Sequence, residues 1–234
     1  MEIKTDIYGT KRYYNKGKLH RENGPAVEDM NGYKEWWVND ELHRENGPAI
    51  EDMNGNKEWY IKGKLHRENG PAVEKANGDK EWWVNGKRHR EDGPAIECSD
   101  GTKSWFFEGK RHRENGPAVE GYAVEEWYIN GELHRENGPA FVEWYGEAKY
   151  MEWYIKGKLH RENGPAFEDE VDGIKDWYIN GIEYTEKQYN FIMRRRRKIA
   201  FKYWLKWTDY IMDPNTERGK RFANRQYDKI LALC

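Results

Sequence analysis

A seven-residue block dominates this chain. His-Arg-Glu-Asn-Gly-Pro-Ala runs from His20 to Ala26 and returns at His43, His66, His112, His134 and His160, with His-Arg-Glu-Asp-Gly-Pro-Ala from His89. The steps between the histidines are 23, 23, 23, 23, 22 and 26 residues. All seven His and seven of the eight Pro fall in this register. A catalytic motif is needed once, whereas a structural unit is needed as often as it is stacked. A fixed period in this range denotes a solenoid or array.

Within one period the residues read as strands and turns. Pro48-Ala49-Ile50-Glu51 begins a short strand. Asn54-Gly55 then reads as a two-residue type I′ turn, because that turn needs positive φ at both central positions. Asn31-Gly32, Asn77-Gly78, Asp100-Gly101 and Asp172-Gly173 fill the same place. Lys57-Glu58-Trp59-Tyr60-Ile61 forms a second strand. Lys62-Gly63 turns back, as do Asn85-Gly86, Asn130-Gly131 and Asn180-Gly181. The expectation is two strands per repeat in one long antiparallel meander, with Pro at a strand start or edge.

The second strand assigns side chains to faces. Trp36, Trp59, Trp82, Trp105, Trp127, Trp153 and Trp177 share one register. Two residues on come Val38, Ile61, Val84, Phe107, Ile129, Ile155 and Ile179, placed on the same face by the period of two. Trp37, Tyr60, Trp83, Phe106, Tyr128, Tyr154 and Tyr178 fall on the other. Both faces therefore carry an aromatic ladder, one packed and one half-exposed. The end copies drift, as capping units do: Tyr13-Tyr14-Asn15 replaces Trp-Tyr-Ile, and Tyr184 stands where His is due. The copy from Phe141 to Met151 inserts three residues, including Trp144, and reads as a bulge or protruding loop.

Composition fits a thin structure. Charged residues make up 35 % of the chain, a value that leans towards disorder, yet 12 Trp and 16 Tyr argue against it. With only eight Leu among 234 residues, a thick aliphatic core is excluded. Rings buried between neighbouring units take its place. Net charge is −2 but unevenly divided. Residues 185–234 hold 13 Lys/Arg against 5 Asp/Glu, and residues 1–184 hold 27 against 37. An acidic body with a basic tail follows. Cys98 and Cys234 stand at unrelated positions, so a reducing compartment is expected and no disulfide framework. Neither a signal peptide nor a run of roughly 18 apolar residues is legible, so secretion and a membrane span are not expected.

The spacing W-x-x-[NK]-G-x-x-H…G-P-A…G-x-x-x-W resembles the MORN repeat, in a variant form with H-R-x-x-G-P-A, over roughly residues 8–184. It departs from the common pattern in lacking the Tyr-x-Gly element. Arrays of this variant are abundant in proteins of giant double-stranded DNA viruses that infect amoebae, Marseillevirus-like and Mimivirus-like. The resemblance implies a mainly β fold: an elongated single-layer antiparallel β-hairpin array over 1–184, with a basic, helical C-terminal cap over 185–234. By analogy it also implies a virion-associated or minor capsid component.

Residues 185–234 leave the register. Thr185 to Gln188 reads as a capping box. Ile192, Ile199, Tyr203 and Trp207 follow with helical spacing. Asp213-Pro214 reads as the start of a second helix with Phe222, Tyr227, Ile230 and Leu231 on its buried side. The pair is expected to cover the open end of the sheet.

Seven histidines invite a metal, but His20, His43, His66, His89, His112, His134 and His160 recur two strands apart, about 9–10 Å. Ligands of one zinc each lie about 2.0–2.1 Å from it. Each His is expected to pack or hydrogen-bond within its own turn. Each block Arg is expected to stack on a Trp face, and the Glu beside it to pair with Arg or Lys of the next repeat. No carboxylate pair, nucleophile motif or phosphate loop stands above the repeat background, so neither enzyme activity nor a cofactor is expected. The sharpest partner-binding candidate is Arg194-Arg195-Arg196-Arg197-Lys198. It is open to five readings: a solvated face, docking on an acidic repeat body, binding nucleic-acid phosphates, contact with an anionic membrane surface, or a calmodulin-type target helix. The leading expectation is a structural scaffold in a virion or host cytoplasm, binding other proteins such as capsid proteins or further copies of itself. The alternative is an intracellular adaptor acting through the basic helix.

Overall fold

The computed structural model describes residues 1–212: an antiparallel β-hairpin repeat array followed by one α-helix, Glu186–Met212. The expected second helix and its apolar residues lie outside the described residues. Strands pair only with their near neighbours in sequence. Val73–Glu74, for example, lies between Lys57–Glu58 and Lys80–Glu81. The same antiparallel pairing runs from the first strand, Glu2–Thr5, to Ile174–Ile179.

The expected five-residue second strand is broken. Lys57–Glu58 belongs to the long sheet, whereas Tyr60–Ile61 pairs with Lys64–Leu65 in a separate short hairpin. Trp59 is the hinge between them. Its N–H bonds the Ala72 carbonyl of the next repeat at 2.8 Å, and its carbonyl accepts from His66 N–H at 3.0 Å. Each repeat thus holds two hairpins, not two strands, and the array is two strips side by side. Neighbouring short hairpins are tied by bonds such as Gly63 N–H to Leu42 C=O, 2.9 Å.

The first turn also differs from expectation. At Asn54-Gly55 only Gly55 has positive φ, 91°, and its N–H reaches the Asp52 carbonyl at 3.1 Å. This is a three-residue loop closing on a left-handed glycine, a geometry that follows a type I turn. Asp52 Oδ1 holds it by accepting from the Asn54 and Asn56 N–H groups at 2.9 and 2.8 Å. The type I′ geometry sits instead at Lys62-Gly63, with φ of 50° and 71°.

The most buried positions are small. Ala26, Ala49, Ala72, Ala95, Ala118, Ala140 and Ala166 are all 0 % exposed. Each block ends on this alanine, pinned between two repeats: Ala49 N–H bonds Glu58 C=O at 2.7 Å and its carbonyl takes Trp36 N–H at 2.8 Å. Both aromatic ladders are half-buried, including the one expected to be packed. The three extra residues of the sixth repeat build a longer regular hairpin, Phe141–Tyr145 with Ala148–Glu152, and no bulge interrupts its register. It reaches back to the shortened loop before it, where Trp144 N–H bonds Ala123 C=O at 2.9 Å.

The helix starts as its sequence implies. Thr185 N–H donates to Gln188 Oε1 at 3.0 Å while Gln188 N–H donates to Thr185 Oγ1 at 3.4 Å, a reciprocal cap. Its first turns bury Tyr189 and Met193 against Ile179, with Trp177, Tyr184 and Ile192 around them.

Candidate interaction surface

The Arg and His of the block are placed alike in every repeat. The block Arg lies over the aromatic ring eight residues before it, from Arg21 over Tyr13 to Arg161 over Trp153, with the guanidinium carbon 3.7–4.0 Å from the ring centre. Its other side rests on the block glycine. A Cβ on Gly47 would fall 2.9 Å from Arg44 Cζ, so a larger residue there would displace the guanidinium. Arg44 Nη1 donates to Pro48 C=O at 2.8 Å and to Glu51 at 2.9 Å. Arg67–Glu74, Arg90–Glu97 and Arg161–Glu168 repeat that ion pair. The carboxylate partner therefore lies seven residues on in the same repeat. Among the described residues, the expected pairing of the adjacent Glu with the next repeat is not found. Glu22, Glu45, Glu91 and Glu162 stand exposed, 3.6–4.0 Å from the Nε2 of their own histidines.

The histidines depart from expectation too. Each Nδ1 accepts a backbone N–H from the following repeat's turn, at 3.1–3.3 Å, for instance Lys62 to His43 and Asn85 to His66. The ring reaches across the repeat boundary because the next turn residue has positive φ, which aims its N–H back at the ring. An accepting Nδ1 places any ring proton on Nε2, facing the block Glu.

On the opposite face the second ladder is held by carboxylates. Trp37 Nε1 donates to Glu35 at 2.7 Å, and Tyr60 hydroxyl donates to Glu58 at 2.9 Å. Burial, then the Glu58 bond, pushes Tyr60 up to about 12. Arg88 stacks on Trp83 and pairs with Glu81 at 3.1 Å.

Between successive blocks the first face opens into grooves. One of 590 Å³ is walled by Arg44 to Gly47 and by His66 to Asn69, with Trp59 and Ile61 as its floor. A second, of 660 Å³, has the same positions one array-end away: Arg135 to Gly138, Trp153, Ile155 and His160 to Asn163. The spacing of Trp and aliphatic two residues apart placed both on one face, and the groove between blocks, which the sequence did not indicate, has them as its floor. The polar walls come from the block itself.

The basic run Arg194 to Lys198 lies on the helix and is exposed throughout. Arg196 reaches Glu162 at 3.8 Å and Arg197 Nη2 donates to Asn163 Oδ1 at 3.2 Å. Arg195 lies over Phe191, 5.6 Å from its ring centre. Further along, Ile199, Phe201, Tyr203 and Trp204 are exposed, with Phe201 and Trp204 rings stacked. Tyr189, which sequence reasoning passed over, proves a buried anchor of the helix. Its position one turn past the cap was the available signal.

Cys98 is half-buried, and burial raises its thiol above the usual range. Among the described residues, no group of three or more His, Cys, Asp or Glu is placed to hold a metal. No helix among them is long and apolar enough to cross a membrane. No protein-family model matches the sequence, and no curated protein matches it.

Proposed function

We propose that this protein is a non-enzymatic, MORN-like repeat scaffold that bridges other proteins, a virion-associated or minor capsid component residing in the virion or the host cytoplasm. The observation that carries this reading is how the block side chains are used. His, Arg and the strand Glu are each engaged in holding one repeat to itself or to the next. What remains accessible is a periodic row of open grooves, a surface suited to extended partners rather than to one small substrate. Capsid proteins or further copies of the chain are the partners envisaged, and no cofactor is called for. The viral setting rests on the repeat resemblance alone. Fractionation of purified particles and infected-cell lysate, with mass spectrometry for this chain, tests it. Recovery with the shell in fixed stoichiometry is expected. Absence from particles with recovery in the soluble host fraction removes the capsid role.

A second reading has its own observation: Arg194, Arg195 and Lys198 are exposed beside exposed Phe201 and Trp204. Under it the helix neutralises nucleic-acid phosphates. Binding then falls steeply as salt rises and is lost with Arg194→Glu and Arg195→Glu. Salt-insensitive or undetectable binding removes this reading.

A further inference from the structure

The seventh block differs from the six before it in one respect: its main-chain groups are occupied by a side chain from elsewhere. The Tyr189 hydroxyl donates to the Arg161 carbonyl at 2.8 Å and accepts from the Gly164 N–H at 3.1 Å. Met193, one turn on, packs with Tyr189 and Ile179 over the floor formed with Trp177. Arg196 and Arg197 meet Glu162 and Asn163 at the rim.

Every one of these receiving positions recurs upstream. In the groove after the second block they are Arg44, Gly47, Trp59, Ile61, Glu45 and Asn46. The groove after the sixth block repeats the set. Each groove is lined by the glycine of the block before it, the side from which Tyr189 approaches Gly164. The last position is thus filled by the chain's own helix, and the two upstream grooves after the second and sixth blocks are open.

The chemistry of the socket is selective. A carbonyl and an N–H converging on one point call for a group that donates and accepts at once, which a hydroxyl does and a carboxylate or ammonium does not. The aromatic and aliphatic floor calls for a ring beneath that hydroxyl. The rim is acidic: Glu45 and Glu68 are exposed, on a body with 37 Asp/Glu against 27 Lys/Arg. Size sets the last limit. Successive blocks are about 10 Å apart, two strand spacings, and a helix with side chains is about 10–12 Å across. An upstream groove therefore admits a side chain while the backbone carrying it rides on the rim. After the seventh block the helix itself takes the place of the next block.

We infer that the grooves between successive blocks are tyrosine sockets, each taking the phenol of a basic, tyrosine-bearing segment of a partner protein as the last position takes Tyr189. This deepens the scaffold reading and rests on it, naming what the periodic face recognises. The sockets are not equal. Phe107 replaces the aliphatic floor residue after the fourth block, its ring 4.9 Å from His89 and 6.1 Å from His112, so that socket is partly filled and the weakest.

The test uses the full chain and a labelled synthetic peptide of residues 185–198, in which Tyr189 is the one tyrosine. Calorimetry and fluorescence anisotropy are expected to give more than one peptide bound per chain. The Tyr189→Phe peptide, lacking both hydrogen bonds, is expected to bind about tenfold more weakly. A scrambled peptide of the same composition controls for charge alone. Equal affinity for the Phe or the scrambled peptide overturns the inference, as does saturation at one per chain, which would mean exchange with the chain's own helix. No binding overturns it too. Purified components alone are involved, so such a failure leaves the particle fractionation, and the scaffold reading it tests, standing.

Discussion

Arg67 makes several contacts with one planar group. Its guanidinium lies 3.9 Å from the Trp59 ring centre, and Nη1 donates to Pro71 C=O at 2.9 Å and to Glu74 at 2.7 Å. Lysine, a point charge, cannot stack and fork at once. Arg67→Ala is expected to lower stability by about 1–3 kcal/mol in urea unfolding. Arg135 is the built-in comparison. It keeps the Trp127 stack at 3.7 Å and the Pro139 carbonyl at 3.0 Å, but Val142 stands where the carboxylate should be. Burial holds its pKa below the usual range, against the opposing pull of Glu125. Arg135→Ala is therefore expected to cost less than Arg67→Ala by about 1 kcal/mol. Equal costs would mean the carboxylate contributes nothing. The tyrosines of the other face predict a response to alkali. Burial first, then bonds to Glu58 and Glu152, push Tyr60 and Tyr150 up to about 12. The unfolded chain ionises near about 10. Their stabilisation is thus complete below about pH 10 and is lost as pH rises through about 12. Tyr60→Phe with Tyr150→Phe should flatten unfolding free energy against pH in that window; an unchanged slope would assign alkaline loss to other groups.

At the level of elements, the repeat, the hairpin character and the two aromatic faces were all legible, because each depends on period alone. The break at Trp59 was not. Glu58 and Tyr60 stay on one face across it, so the alternation of a single strand is preserved while its pairing partner changes. The type of the first turn was missed for a similar reason. Asn-Gly and Lys-Gly both permit positive φ; Asp52 clamps the three-residue form at Asn54-Gly55, but Asn77-Gly78 adopts it with Lys75 in that place. The alanine column was visible as seven identical residues, yet nothing in one sequence distinguishes a small residue required by close packing from one that is merely tolerated. The first strand makes the distinction. Ile3 pairs with Tyr13 in the place that alanine takes elsewhere, and it is 55 % exposed because no repeat stacks on it. Ala72, at 0 %, has no such room. Ala72→Leu is expected to cost about 1–3 kcal/mol by overpacking, and Ile3→Ala little. Matching melting temperatures for the two variants would show that the column is not the core.

Over the whole molecule, stability is close to a sum of repeat and nearest-neighbour terms, because each strand pairs only with those beside it. Such an array opens from its ends. The N-terminal end is closed lightly by Glu2–Thr5, whose residues are all exposed. The C-terminal end is closed by the helix, which leaves Ile179 only 3 % and Tyr189 3 % exposed. Two changes separate what that cover does. Ending the chain after Tyr184 bares Ile179 and Trp177 on an edge that neighbouring chains can add to. A lower melting temperature and concentration-dependent association in sedimentation are expected. Tyr189→Phe keeps the apolar cover and removes only the bonds to Arg161 and Gly164. For it the melting temperature should move little, since the body carries most of the nearest-neighbour terms. Amide exchange in the helix and at Gly164 should accelerate several-fold, a loss of about 1 kcal/mol in local opening free energy. If Tyr189→Phe instead matched the truncation in both melting and association, the hydroxyl rather than the apolar surface would be what seals the array.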